Sequence, residues 1–536
     1  MLKRGIIVLA LVATVALPFI LRPRQESQES ADDTLVLVSP HNEAIRHEFT
    51  QGFRSWYRAR TGRTVFLDWR NVGGTTDIAR YLEGEYVASF RSMWTGRLGR
   101  AWSTDVQSGF QNGQLKADAP AAAREARAAF MASDAGCGID LFFGGGPSDF
   151  EGQAQAGRLV DSGIRRLHPD WFTDEAFPAV FGGETYRDPG DLWYGTVLSS
   201  YGILYNKDSI RRLGLEHIPL QWTDLADPRY VGEVGLCDPM QSGSIAQAFL
   251  NVIQQQIHRR VDPLGPTDRA GEARAVREGW VDAMRLLQLI GANSRYFTDT
   301  SQKPPIDVAN GDCAAGMCID FYGREQQEAV RRRNGGVDRV GYSAPEGGAS
   351  YSVDPIALLR GAPHRAVALA FIEYTLSLDG QRIWNFRTGT PGGPGLFALR
   401  RLPVRRDFYA LADWPRYTSD PGVDPYSQKS VLIPNNAWTG DLWYQMRFII
   451  RVMTEDTHPE LVSAWRAIIA APEPARSRAL AVLQDVSVVD YDQALGRIRK
   501  GVRSRNLVDS VVLARDIGGV FRDNYRRAER IARGGE

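Results

Sequence analysis

Apolar residues along the chain fall into two patterns. Short runs rich in β-branched and aromatic residues, such as "TLVLV", "TVFLDW" and "GIDLFF", are bounded by turn-forming residues and read as strands. The stretches between them space apolar residues at helical intervals, and the first places Ala44, Ile45, Phe49, Phe53 and Trp56 along one face. Strand, loop and helix follow one another through "SPHNEA", "NVGGTTD" and "FGGGPSDF". That repeated order predicts a parallel sheet, with any ligand outside the carboxyl ends of its strands. Residues 86–135 read as a helical, Arg/Ala-rich insertion before the third strand.

Farther on, two strand-like runs in "DLWYGTVLSSYGILYNKDSIRRLGL" meet around residues 199–201. The units "EVGLCD", "PMQSGS" and a following helix, then "VANGDCAAGMCIDFYGREQQEAV", repeat the earlier design. "YSVDPIALLRGAPHRAVALAFIEYTLS" returns to a strand and a long helix. The expected organisation is a first lobe at 34–204, a second at 205–342, a return to the first at 343–391, and a mainly helical extension at 392–536. Two interleaved lobes leave a cleft between them.

Bulk properties narrow the function. A chain of 536 residues exceeds one compact core. Its 64 Lys and Arg against 63 Asp and Glu give a formal charge of +1, which offers no basic footprint for nucleic acid. "MLKRG" followed by "IIVLALVATVALPFIL" reads as an export signal. No lipobox cysteine follows it and the cleavage site is poor, so residues 6–21 either leave the mature protein or persist as an inner-membrane anchor, with "RPRQESQESADD" at 22–33 completing the segment 1–33 as a polar tether. The expected location is the periplasm. On one strand Cys313 and Cys318 would lie roughly 16 Å apart, too far for a disulfide, and read as packed thiols. Cys137 with Cys237 stays open as a pair. No HExxH or Cys/His spacing occurs, so neither a metal nor a cofactor is expected.

Candidate chemistry lies in loops that end at helix N-termini, where unpaired N–H groups and a partial positive charge favour anions. These loops carry Pro40, His41 and Asn42, then Gly73, Gly74, Thr75 and Thr76, then Gly144, Gly145, Gly146 and Ser148, and in the second lobe Ser242, Gly243 and Ser244. The glycines would bare the backbone to a ligand, while Thr75 or Thr76, and Ser148 or Asp149, would cap their helices. Glycine turns and Ser caps also serve structure alone. His41 is either a ligand or metal contact or a solvated loop residue. Asp354 either accepts hydroxyl hydrogen bonds or starts a turn. Trp193 and Tyr194 read as packing residues. No GxSxG elbow or Ser/His/Asp spacing occurs, and the chain is not expected to be an enzyme.

The segments "SPHNEAIRHEF", "IDLFFGGGPSDF", "AQAGRLVD", "WYGTVLSSYGILYN", "WTDLADPRYVGEVGLCDPMQSGS", "MCIDFYG", "SVDPIALLRGAPH" and "ALAFIEYTLSLDGQ" together resemble the extracellular solute-binding proteins of bacterial ABC importers. The likeness is to the branch that includes ferric-iron and sugar-phosphate binders. It covers about residues 34–385, while the 86–135 insertion and the C-terminal part depart from it. It implies an α/β, two-lobed, hinged type II periplasmic-binding fold, with ligand enclosed in the cleft and delivery to an ABC-transporter permease, and the helix-end loops make the expected ligand a small anionic solute, such as a phosphorylated organic compound. A monomer is expected. Asp320 and Tyr322 fall where the resembling ferric binders carry adjacent tyrosines. Phe321 replaces the first of these, which weakens a ferric-iron reading that would draw on His41 and Tyr322. A membrane-anchored sensor domain or a periplasmic enzyme would also suit an exported chain of this kind.

Overall fold

The computed structural model describes residues 30–265, 267–427, 431–504 and 506–535. The apolar segment at 6–21 lies outside them. Among the described residues no helix is long and apolar enough to cross a membrane.

The strands are β1 (Asp33–Val38), β2 (Val65–Arg70), β3 (Leu141–Phe143), β4 (Leu159–Val160), β5 (Val180–Phe181), β6 (Glu184–Thr185), β7 (Tyr194–Ser199), β8 (Tyr201–Asn206), β9 (Val234–Cys237), β10 (Ser294–Thr298), β11 (Ala315–Ile319), β12 (Val340–Ser343), β13 (Ser352–Leu359) and β14 (Leu402–Pro403). The first sheet runs β14-β7-β13-β3-β1-β2, with β4 beside β13. Its β2-β1-β3 part is parallel, as the repeated strand-loop-helix order requires. The later strand β13 enters antiparallel to β3 and β7. The second sheet runs β10-β9-β11-β8-β12, parallel from β10 to β11 and antiparallel from there to β12. This pair of sheets makes the two lobes that the sequence pattern predicts.

Each lobe has its own core. In the first, the helix Glu43–Thr61 sends Phe49 and Phe53 inward, and Phe49 meets Trp384 with ring centres 4.3 Å apart. The insertion joins the same core. Phe110 stacks on Phe90 at 4.6 Å and meets Phe130 edge-on at 5.2 Å, so its helices close the outer side of this lobe. Trp193 and Tyr194 are buried there too, as packing residues.

The second core joins residues far apart in sequence. Trp222, Phe249, Trp280 and Ile290 share one cluster with Trp465, Ile517, Phe521 and Tyr525. The latter come from the C-terminal helices His458–Ala470 and Leu507–Ala532. Polar ties fix the packing: Trp280 Nε1 donates to the Val489 carbonyl at 2.9 Å, and Trp465 Nε1 to Asn293 Oδ1 at 2.8 Å. Burying each such large side chain contributes about 1.5–3 kcal/mol. The C-terminal region is thus the outer layer of the second lobe. Residues 402–404, which the sequence pattern assigns to that extension, belong to the first lobe, where β14 pairs with β7 and Val404 enters the core.

The chain passes between lobes at Ser200, through 344–351, and again in the stretch that leads to Asn436. The first two passages are tied, since Ser200 Oγ donates to the Ser350 carbonyl at 3.0 Å. The third joins them where the Leu432 N–H donates to the Ala349 carbonyl at 3.0 Å. All four cysteines are free thiols, and Cys313 and Cys318 pack in a small buried cluster with Leu204 and Val308.

Candidate functional site

A cleft of about 860 Å³ lies between the lobes and takes lining from both. A larger cavity of about 1170 Å³ lies elsewhere, lined by residues such as Arg295, His458, Arg466 and Arg533. That cavity has only second-lobe walls, so hinge closure could not enclose a ligand there. The interlobe cleft, by contrast, brings together residues that are distant in sequence at the ends of several helices.

His41, Asn42, Gly74, Thr75, Gly145, Gly146, Ser148, Ser242, Gly243, Ser244, Tyr322 and Asp354 all line it. Asp320 does not. The predicted strand through "CIDFY" ends at Ile319, and Asp320 begins the helix Asp320–Arg333. There it is buried against Arg324 and accepts from the Phe321 N–H at 2.8 Å, which takes it out of the cleft.

Local capping also differs from the sequence expectation. The helix Thr75–Ser92 is capped at Gly74, whose N–H donates to Asp77 at 3.3 Å, and the helix Pro147–Ala156 at Gly146, whose N–H donates to Asp149 at 3.0 Å. Neither threonine nor Ser148 is the cap. The carboxylate three positions into each helix takes that role and offsets part of the positive end. Asn42 and Ser242 do cap, accepting from the N–H groups of Ile45 at 3.0 Å and Ile245 at 3.3 Å.

The triple glycine has a packing reason. Gly144 and Gly145 hold φ of +94° and +124°, in the left-handed half of the map. A β-carbon on Gly144 would fall 2.6 Å from the His41 ring, and one on Gly145 would fall 2.9 Å from Thr75 Cγ2. The bare turn therefore makes room for the neighbouring loops of the same lobe. The lobes stand close here: a β-carbon on Gly243 would be 3.5 Å from Thr75 Oγ1 and 4.0 Å from Asp149 Oδ2. The helix ends of both lobes confront one another across a shared gap.

At one end of the cleft sits a buried polar cluster. Asp354 Oδ2 lies 2.6 Å from Arg401 Nη1 and 3.3 Å from His41 Nε2, while Ser199 Oγ donates to Asp354 Oδ1 at 3.3 Å. Arg401 Nη2 also reaches Ser199 Oγ. Burial opposes ionisation of Asp354, but the Arg401 charge and the His41 hydrogen bond outweigh it and hold the carboxyl at about 2. Burial pushes the His41 imidazole down, against the pull of Asp354. The Arg401 guanidinium lies 4.2 Å from the Phe321 ring centre, and its buried Nε has no hydrogen-bond partner. Arg46, on the first turn of Glu43–Thr61, lines the cleft as well, and its Nε is likewise buried without a partner.

The remaining wall is acidic and aromatic. Burial pushes Glu184 up to about 7, and Gln247 Nε2 lies 3.4 Å from its Oε1. Burial also raises Glu151 and Asp149. Tyr201, Phe321, Tyr322 and Trp443 face the cleft, Trp443 from the C-terminal region. Sequence reasoning missed Arg46, Arg401, Glu184 and Trp443. Arg46 had a signal, standing four residues after Asn42 on the same helix face; the others carry no local motif.

Residues 147–398 match the family described as bacterial extracellular solute-binding protein. The match covers just under half of the chain. Over 248 residues the chain is 27% identical to an uncharacterized protein of Haemophilus influenzae, spanning 46% of this chain and 60% of that one. It is 28% identical over 206 residues to iron uptake protein A2 of Synechocystis, spanning 37% and 52%. The chain therefore spans about half to three-fifths of the length of these relatives. Among solved structures, iron-bound HitA of Pseudomonas aeruginosa superposes with a TM-score of 0.47 at 15% identity, covering 78% of this chain and 98% of that one. AfuA of Actinobacillus pleuropneumoniae, with fructose-6-phosphate bound, gives 0.45 at 15%, covering 81% and 98%.

Proposed function

We propose that this solute-binding protein is the exported, periplasmic component of an ABC importer. It captures a small anionic solute, of the phosphorylated organic class, and hands it to a membrane permease as a monomer. His41, Asn42, Gly74, Thr75, Gly145, Gly146, Ser148, Ser242, Gly243, Ser244, Tyr322 and Asp354 are the proposed contacts, to which Arg46 and Arg401 are added.

The observation that carries this reading is a pair of arginine Nε–H groups, on Arg46 and Arg401, buried at the cleft without an acceptor. A buried donor left unmade costs about 1–3 kcal/mol, and an anionic oxygen would supply the missing acceptor. The helix ends add N–H groups from both lobes, so one solute gains contacts in the closed state that the open state lacks. Glu184 and the capping carboxylates work against a strongly negative guest. The elevated Glu184 leaves it partly protonated near neutrality, when it can donate to an anion.

Ferric iron has less support. Asp320 is outside the cleft, burial pushes the Tyr322 phenol up and away from the phenolate that iron needs, and His41 is engaged by Asp354. Among the described residues no group of three or more His, Cys, Asp or Glu is placed to hold a metal.

Thermal unfolding with sugar phosphates, phosphonates, polyamines, thiamine and Fe(III) separates these readings, because a ligand bound only by the native state raises Tm. A phosphorylated compound is expected to raise Tm, and Arg46→Ala to abolish that rise. A rise with Fe(III) or a polyamine alone would overturn the anionic reading.

A further inference from the structure

The C-terminal region does more than cover the second lobe. Its stretch from Pro434 to Trp443 reaches the cleft, where Pro434, Asn436, Thr439, Gly440 and Trp443 form part of the wall. Trp443 is only partly buried and begins the helix Trp443–Ile450, whose other side chains from Gln445 onward are buried. An indole on a wet wall, fixed on a helix that is otherwise packed, is a rigid apolar surface with few rotamers left to freeze.

One turn along the same helix, Arg447 points at the same part of the site. Its Nε donates to the Pro239 carbonyl at 2.6 Å and its Nη2 to the Met240 carbonyl at 2.9 Å. Those carbonyls belong to the loop that delivers Ser242 and Gly243 to the cleft. The guanidinium also lies 5.6 Å from the centre of the Trp443 ring, so one side chain braces both the loop and the indole. The cleft's volume of about 860 Å³ is far more than a lone phosphate or metal ion fills and lies in the range of sites for whole organic ligands. A solute anchored by its charged group thus has a body that must lie against a wall.

We propose that the C-terminal region is a working part of the solute site: Trp443 is a specificity-determining contact for a ring or flat group on the solute, and Arg447 is a positioning residue for the facing loop. This rests on the anionic reading above. It assigns the solute a body that stacks, and it gives the departure from the resembling proteins a task in recognition.

The test is calorimetric titration of the full chain with two probes, inorganic phosphate and the ring-bearing ester glucose 6-phosphate. The wild type is expected to bind the ester more tightly. Trp443→Ala should weaken the ester about five- to tenfold while phosphate changes less than about twofold, and Trp443→Phe should recover most of the loss. Arg447→Lys should weaken both probes, since the loop serves the charged group. Arg526→Met removes an exposed C-terminal pair with Glu460 and should change neither. Equal effects of Trp443→Ala on both probes, or none on the ester, would overturn the proposal while leaving the anionic reading standing. A wild type that binds neither probe would retire both. Trp443→Phe should also lose part of the intrinsic fluorescence change that the ester produces, a signal that altered folding alone would not couple to the probe.

Discussion

The two lobes close the same cleft but are finished differently. The first completes its core with segments that flank the hinge passages, ending at β14 and Val404. The second surrounds its sheet with the helices Gly243–Val261 and Arg269–Ala292, which have buried residues on nearly every side. A helix apolar or buried all round needs partners all round, and here the C-terminal helices provide them. Even the polar run Gln254, Gln255 and Gln256 is buried. Gln254 Nε2 donates to the Asn435 carbonyl at 3.1 Å and to Thr439 Oγ1 at 2.6 Å, and its Oε1 accepts from the Asn435 N–H at 3.1 Å. The difference teaches that the helices from Asn436 onward are structural for the second lobe, and that their closeness to the cleft follows from that packing.

The strongest way to break this asymmetry is to end the chain after residue 435. The second lobe would then expose Trp280, Met284 and Ile290 together with unpaired glutamine amides, so loss of soluble protein and rapid proteolysis of residues 201–343 are expected. A sharper version is Phe521→Ala, which removes a fully buried ring from the shared core. It should cost about 3–5 kcal/mol. Monitored by denaturant unfolding with hydrogen exchange, the loss should fall on second-lobe amides and leave β1 to β3 protected. Uniform loss across both lobes would erase the distinction between them.

In the first lobe the corresponding weak point is electrostatic. Arg401→Ala leaves Asp354 buried beside a neutral imidazole and strips Ser199 of a donor. Removing one member of a buried pair costs about 3–5 kcal/mol. The unfolding free energy from denaturant titration should fall by that amount, and the first lobe should become the less stable of the two. Asp354→Asn is expected to cost less, because the amide keeps a hydrogen-bonding group in place.

The first lobe was also the more legible in sequence. Its strands are short apolar runs, each followed by a loop and an amphipathic helix, so local periodicity sufficed to place β1, β2 and β3 and the loops carrying His41, Thr75 and Ser148. The second lobe's own units are readable too, including the Ser242 cap, but not the packing of the C-terminal helices that completes its core. What stayed hidden depends on contacts across long sequence distances. Arg401 stands 47 residues from Asp354, immediately before β14, and nothing in "LRRLP" points to the carboxylate it meets. The place of Asp320 is not legible, because an apolar strand continuing into "DFY" looks the same as one turning into a helix. The glycine run by itself suggests a surface bared to ligand, whereas His41 and Thr75, brought in by other loops, occupy the missing β-carbon space.

Acid titration sharpens the comparison further. Asp354 in the first lobe has its folded value held at about 2, below its ordinary value of 3.8. Its contribution to stability is present above 3.8 and is lost as pH falls toward 2. Asp354→Asn should therefore flatten the stability profile in that window while leaving it unchanged in shape above pH 5. A wild-type profile already flat between pH 4 and 2 would mean that the Arg401 pair is not formed.

The smallest expected effect comes from Glu184, on the cleft rim of the first lobe. Burial raises it from 4.5 to about 7, so the neutral form is the one favoured by the fold. Stability from this group is present below 4.5 and declines as pH rises through 7, the reverse of Asp354. Glu184→Gln mimics the neutral form, keeps an acceptor for Gln247, and should raise Tm at pH 8 while changing little at pH 4.5. A bound anion beside Glu184 would push its titration higher still, so binding should take up a proton near neutrality. Calorimetry in buffers of different ionisation enthalpy reads that uptake directly, and its disappearance in Glu184→Gln separates an anion placed beside this carboxyl from one held only at the Arg401 end.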